Sequence, residues 1–309
     1  MIFTCTLNPS LDYYMEFDES LSAGHVNRSQ LEYYEAGGKG INVSIVLNNL
    51  GIPSRALGFL GGFTKDFYIS LLAKYEHILP HFTYIEGATR INLKLRCKDG
   101  PTDLNAAGPY VTAADMANLA SKADRLSKGD YLVVSGNTQV YLAEDVKEML
   151  RNAIKQEVRV CLDTDPALMR DMLEDGLFMI KSTPQELSVM FDRGIETEEQ
   201  CVEAIREMHQ KGVVNAIVVY NNRKAFLCCE EGTFEAALQE EMEAVNTVGT
   251  GDSLVAGFLM NYLRSKDPVD SFRFGASCGS ATAYSRSLAT REKIDSFYEE
   301  KEVKQLGDR

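Results

Sequence analysis

The chain has 309 residues, 45% hydrophobic and 25% charged, a make-up suited to a globular protein long enough to bury a large core. Its 45 acidic against 32 basic residues leave a formal net charge of −13, which repels phosphodiester backbones and anionic membranes and argues against both as partners. No charged-then-apolar signal opens the sequence, and its longest apolar run, Leu254–Met260, is far short of the roughly 20 residues of a membrane helix, so a cytoplasmic protein is expected.

Met1–Leu7 is short and β-prone and closes on Asn8-Pro9-Ser10, which predicts a strand ending in a turn. Tyr13–Phe17 and Arg28–Tyr34 read as further strands. Gly37-Gly38-Lys39-Gly40 then opens a helix that runs to Leu50, with Gly51 placed to end it. Ile91–Cys97 alternates strictly: Ile91, Leu93, Leu95 and Cys97 fall on one face and Asn92, Lys94 and Arg96 on the other. With the two earlier strands it predicts a small sheet, one face polar, set apart from the main core.

Past Thr112 the rhythm changes. Helical segments at Ala113–Leu126, Ala143–Lys155 and Glu198–Lys211 alternate with short apolar runs at Tyr131–Val134, Val158–Leu162, Leu177–Ile180 and Ala216–Val219. This predicts a parallel sheet flanked by helices, with ligands at the carboxyl ends of its strands. Without a repeat or linker, residues 1–309 read as one domain carrying a lid drawn from about 12–35 and 88–108. The charged stretch Glu299–Arg309 is expected to fray. Seven scattered cysteines without ligand spacing read as reduced structural thiols, and His25, His77, His81 and His209 as surface or loop residues.

The chemistry gathers at glycines. In Asn246–Phe258, "NTVGTGDSLVAGF", Gly249-Thr250-Gly251 can bring backbone N–H groups close to an anion, and a helix starting near Asp252 aims its positive end there. The same pattern also suits an acid that only caps a helix. The cluster Gly37–Gly40 lacks the spacing of a Walker P-loop; it suits either a tight strand-to-helix turn or close backbone approach to a polyhydroxyl or phosphate ligand.

Taken together, "TLNPSLD" at Thr6–Asp12, "GGKGINV" at Gly37–Val43, "LGFLGGF" at Leu57–Phe63 and "VGTGDSLVAGF" at Val248–Phe258 resemble the ribokinase-like (PfkB) carbohydrate kinases over nearly the whole chain. "TRINLKL" at Thr89–Leu95 and "LNAAGP" at Leu104–Pro109 are most similar to the branch that phosphorylates sugar phosphates, the 1-phosphofructokinases and tagatose-6-phosphate kinases. The resemblance implies an α/β fold of three layers, α/β/α, with a mostly parallel central sheet and a small β-sheet lid, and a homodimer paired through that lid.

It also implies ATP and Mg²⁺ as cofactors and a sugar phosphate as substrate. Asp252 would be the base that takes the proton from the attacking hydroxyl, with Gly249, Thr250 and Gly251 as the anion hole. Asp12, Gly37, Gly38 and Asn42 would meet the sugar, with Asn105 and Asn137 beside it. Arg90, Arg28 and Lys39 would hold the phosphate already on the sugar. On the nucleotide side stand Lys181, Thr183, Glu186, Asn221 and Lys224, Glu186 acting on Mg²⁺ through water.

That side departs from the family. Lys181-Ser182-Thr183-Pro184-Gln185-Glu186-Leu187 replaces the usual asparagine with Thr183. Val219-Tyr220-Asn221-Asn222-Arg223-Lys224-Ala225 stands where a serine and glycines normally line the phosphates, and Ser135-Gly136-Asn137-Thr138-Gln139 stands for Ser-Gly-Ser-Leu-Pro. These changes motivate a reading of another class, a non-catalytic sugar-phosphate sensor derived from a kinase.

Overall fold

Apolar residues at consecutive positions of the central strands decide the architecture. In Tyr131–Gly136, Leu132 and Val134 join one core cluster and Tyr131 and Val133 another; Val160 and Leu162 part from Cys161 in the same way. A strand apolar on both faces must be covered on both.

In the computed structural model, which describes residues 1–238, 245 and 248–307, the first half runs β1 (Ile2–Thr6), β2 (Ser10–Glu16), β3 (Leu31–Gly37), α1 (Lys39–Asn49), β4 (Ser54–Gly61), α2 (Thr64–Leu72), β5 (Ile78–Pro80), β6 (Thr83–Ile85), β7 (Arg90–Cys97) and β8 (Gly100–Leu104). Next come α3 (Ala113–Ala123), β9 (Tyr131–Gly136), α4 (Ala143–Lys155), β10 (Arg159–Thr164), α5 (Pro166–Asp171), β11 (Met179–Ser182), α6 (Pro184–Phe191) and α7 (Glu198–Gln210). The chain closes with β12 (Asn215–Tyr220), β13 (Lys224–Cys229), β14 (Gly232–Ala237), α8 (Thr250–Ser265), α9 (Pro268–Ala283), α10 (Arg291–Glu300) and β15 (Val303–Leu306). Asn246 and Thr247 of the second glycine motif, and Asp308 and Arg309 of the charged tail, lie outside the described residues.

The main sheet has the order β15-β14-β13-β12-β11-β10-β9-β1-β4-β5, with β6 also on β4. Its pairings from β5 to β12 are parallel, and β13, β14 and β15 add an antiparallel edge. Helices α3 to α7 pack on one face, and α1, α8, α9 and α10 on the other. The chain builds outward from β1 through β4, then returns to lay β9 on the opposite side of β1. A reversal of this kind opens a crevice at the strand carboxyl ends.

The second sheet, β3-β2-β7-β8, is the small one. Its alternation is the expected one, but the polar face is the buried one: Asn92 and Lys94 are 4% and 8% exposed, whereas Ile91 is 37% exposed. Asn92 and Lys94 are committed to Asp12 and Asp103 over the crevice, so Ile91 turns outward with Tyr34 and Leu104.

The tail expected to fray is ordered as far as Gly307, where the described residues end. Val303–Leu306 pairs antiparallel with Thr233–Ala236, and Arg206 Nη2 donates to the Gly307 carbonyl at 2.9 Å. An edge strand needs only one covered face, so charge density does not forbid it. Buried Lys301 anchors the approach through the Ala237 carbonyl and Ser280 Oγ.

Candidate active site

Thr6 closes β1 and faces the start of α1. A Cβ on Gly38, whose φ is +128°, would lie 2.6 Å from Thr6 Cγ2, and one on Gly37 would collide with the Asp12 carboxylate. These glycines thus let the helix N-terminus close on β1 and on Asp12. Asp12 Oδ1 accepts from Ser10 Oγ at 2.7 Å and Asn92 Nδ2 at 3.1 Å. Burial raises its pKa against these bonds and nearby Lys94 and Arg90.

Across the crevice, Gly249 takes φ +79° to start α8, which places half-buried Gly251 between buried Thr250 and Asp252 in the first turn. Asn42 Nδ2 donates to Asp252 Oδ2 at 2.8 Å. Burial, then the charge of Asp163, pushes Asp252 up to about 6, while Lys181, Asn42 and Lys39 act in the opposite direction.

Asp163 was not singled out from the sequence, yet it is the hub of the floor. Thr6, Ser135 and Asp163 stand in register on β1, β9 and β10. Asp163, 2% exposed, meets Lys39 Nζ at 2.7 Å and Lys181 Nζ at 2.9 Å. The two lysines hold its carboxyl below the usual range even though burial pushes the other way. The available signal was an acid closing the apolar strand "RVCLDT", at the end where parallel strands carry their chemistry.

Lys39, expected against the phosphate of the sugar, points to this floor and lies 3.8 Å from Glu186 Oε1. Burial alone would lower its pKa; Asp163, Glu186 and Asp252 raise it. Thr183, in the asparagine position, caps α6 in a reciprocal box: Glu186 N–H donates to its Oγ1 at 3.3 Å, and Thr183 N–H donates to Glu186 Oε2 at 2.8 Å. Lys181 lies over the α8 N-terminus, where a Cβ on Gly251 would be 3.3 Å from its Nζ.

The remaining candidates spread outward. Arg90 donates to the carbonyls of Ala106 at 3.0 Å and Asn8 at 2.9 Å and lines a neighbouring open cavity with Gly108 and Tyr110. Asn105 and Asn137 are exposed on adjoining loops. Arg28 is exposed in the loop joining β2 to β3; at about 3.3 Å per strand residue, it lies more than ~13 Å beyond Asp12. Asn221 and Asn222, with φ of 48° and 56°, form a tight hairpin between β12 and β13, Val219 is buried, and Lys224 is tied to Glu198 at 2.7 Å.

A cavity of about 600 Å³ beside Asp12, Gly37 and Asn42 extends under the inner face of the small sheet. Glu16, Glu35, Lys74, Arg96 and Arg286 also line it.

The pfkB family carbohydrate kinase pattern matches residues 6–294. The chain is 36% identical over 307 residues to the 1-phosphofructokinase of Bacillus subtilis, covering 99% of this chain and 100% of the relative. It is 30% identical over 297 residues to the D-tagatose-1-phosphate kinase of Bacillus licheniformis, covering 96% of each. The fold superposes on phosphofructokinase-2 of Escherichia coli with a TM-score of 0.91, at 23% identity, over 97% of this chain and 98% of that one. A reversed parallel sheet, a polar lid and an acid at the start of α8 therefore belong to a ribokinase-like phosphotransferase, and the chain is a member of the pfkB family of carbohydrate kinases.

Proposed function

We propose that the protein transfers the γ-phosphoryl group of ATP to a hydroxyl of a ketohexose phosphate, with fructose 1-phosphate as acceptor and fructose 1,6-bisphosphate as product. The observation that carries this reading is the buried Asp252 carboxylate at the start of α8, joined to Asn42, which lines the cavity under the lid. The acceptor oxygen forms a bond to Pγ as the bond from Pγ to the β-phosphate bridging oxygen breaks. The hydroxyl proton passes to Asp252, and ADP leaves. Gly249, Thr250 and Gly251 supply N–H groups and the positive end of the helix to the oxygens in flight. Asp12, Gly38 and Asn42 orient the sugar; Arg90 holds its phosphate.

Sugar kinases of this family use ATP and Mg²⁺. The donor set fits both. Lys181 and Lys39 set positive charge beside the α8 N-terminus, and Glu186 leaves Oε1 free of the capping bond. Mg²⁺ would neutralise phosphate charge, held through water by Glu186. Asn221, Arg223 and Lys224 border the nucleotide, residues 1–309 act as one kinase domain in the cytoplasm, and the outward apolar lid face pairs two copies. In that dimer, Arg28 contributes only by reaching the crevice of the other copy.

A tagatose phosphate is the second acceptor reading, favoured by the 30% identical D-tagatose-1-phosphate kinase. The tight hairpin at Asn221–Asn222 favours a sensor without catalysis as the reading of another class. One coupled assay across fructose 1-phosphate, fructose 6-phosphate, tagatose 1-phosphate and tagatose 6-phosphate decides among them. Fructose 1-phosphate is expected to give the highest kcat/KM; no turnover of any of the four rejects the kinase.

A further inference from the structure

Three strands of the lid bring three polar side chains into one row over the crevice. Asn92 on β7 is level with Asp12 on β2, and Asp12 is level with Glu35 on β3. Residues level across a sheet share a face, with Cβ atoms about 5 Å apart. Two members of the row are spoken for: Asp12 is held by Ser10 and Asn92. Glu35 is half-buried, lines the same cavity as Asp12, Gly37 and Asn42, and has no hydrogen-bond or ion-pair partner among the described residues.

Resting on the kinase reading above, we propose that Glu35 is a second substrate-reading carboxylate, accepting a hydrogen bond from a ring hydroxyl of the phosphorylated sugar and setting which ketohexose epimer is used. A half-buried carboxylate without a partner is costly, and a hydroxyl that meets it removes that cost. An epimer whose hydroxyl turns away leaves the carboxylate unpaired, which is how sites built to bond an OH reject analogues. Burial also raises the Glu35 pKa, with neighbouring Asp12 adding to the rise and Lys74 opposing it. A metal ion does not suit the row, because only two carboxylates converge there and no cluster of three or more ligating side chains exists among the described residues.

The alternative role is a latch, in which Glu35 on the lid answers Lys74 below it. The experiment measures KM and kcat for fructose 1-phosphate, tagatose 1-phosphate and ATP with the full chain and its Glu35→Ala, Glu35→Gln and Lys74→Ala variants. Glu35→Ala is expected to raise KM for the better epimer about tenfold or more, leave KM for ATP within about twofold, and cut the ratio of kcat/KM between epimers by about tenfold. Glu35→Gln, which keeps an acceptor oxygen, is expected to recover most of that ratio. An unchanged ratio in Glu35→Ala, or an equal loss on both epimers reproduced by Lys74→Ala, overturns the proposal. If the wild-type protein turns over neither epimer, the kinase reading fails and calorimetric binding of the two sugar phosphates decides for Glu35. Binding lost in Glu35→Ala supports the assignment; equal affinities, or no binding to the wild type, overturn it.

Discussion

Asn42 donates to Asp252 across 2.8 Å, and the two residues stand 210 positions apart in the chain. This bond ties the start of α1, beside Asp12 and the lid, to the start of α8, which carries Asp252. Both helices aim their N-termini at one spot, and the hydrogen bond fixes the orientation of the carboxylate between them.

Replacing Asp252 by Asn removes the proton acceptor with little change in bulk. Turnover is expected to fall by about two to four orders of magnitude while calorimetric binding of the sugar phosphate persists. Retention of more than about a tenth of wild-type kcat would remove Asp252 from the role of base.

The pH profile follows from the environment of Asp252, whose pKa is raised to about 6 by burial and Asp163. A base works only when ionised, so kcat/KM is expected to fall by about tenfold per unit below that pH and to level off above it. The bond from Asn42 favours the charged form. Asn42→Ala should therefore move the acidic limb to higher pH, and a limb that moves to lower pH would contradict the assignment.

Arg90→Ala is expected to raise KM for the phosphorylated sugar about tenfold or more, with a much smaller effect on ATP, because charge-assisted bonds to phosphate contribute about 1.5–3 kcal/mol. Steady-state kinetics with each substrate varied in turn gives the comparison. Equal weakening of both would assign Arg90 solely to bracing the carbonyls of Asn8 and Ala106.

On the nucleotide side, Lys224 is already engaged by Glu198. The double change Arg223→Ala with Lys224→Gly is expected to weaken a non-hydrolysable ATP analogue in titration calorimetry with Mg²⁺. Glu198→Ala, which releases the lysine, should strengthen it. No nucleotide binding to the wild type, with or without saturating sugar phosphate, would favour the sensor.

The outward apolar face of the lid, with Ile91, Tyr34 and Leu104, predicts a dimer at micromolar concentration by light scattering. Leu104→Glu is expected to shift the mass toward the monomer. A wild-type monomer at that concentration contradicts pairing through the lid.

The elements legible in the sequence were those set by local pattern. The 13-residue helix Glu198–Gln210 follows from periodicity, and the strands Tyr131–Gly136 and Asn215–Tyr220 from consecutive apolar residues. Both glycine clusters announced helix starts, and both are helix starts. What stayed hidden depends on distant partners. Lys39 meets Asp163 across 124 positions, so no local pattern says that it pairs with this acid. The direction of the Ile91–Cys97 faces was hidden for a related reason, because Asn92 is buried by Asp12 and not by its own strand. The ordered tail depends on an open edge at β14, which Val303–Leu306 alone cannot reveal.

The place of β1 also governs when activity can arise. This strand lies between β4, made soon after it, and β9, made only after the whole lid and α3. Its contacts are therefore among the most non-local in the chain, which slows folding through the entropy of closing long loops. Asp252 arrives later still, on α8, and reaches Asn42 only once that helix has docked. Arg286, which also lines the crevice, follows α8 in the chain, so the carboxylate that meets Asn42 and one wall of the crevice are both among the last parts made. A chain released before α8 lacks both, and the crevice is completed only when the far end of the sequence has docked.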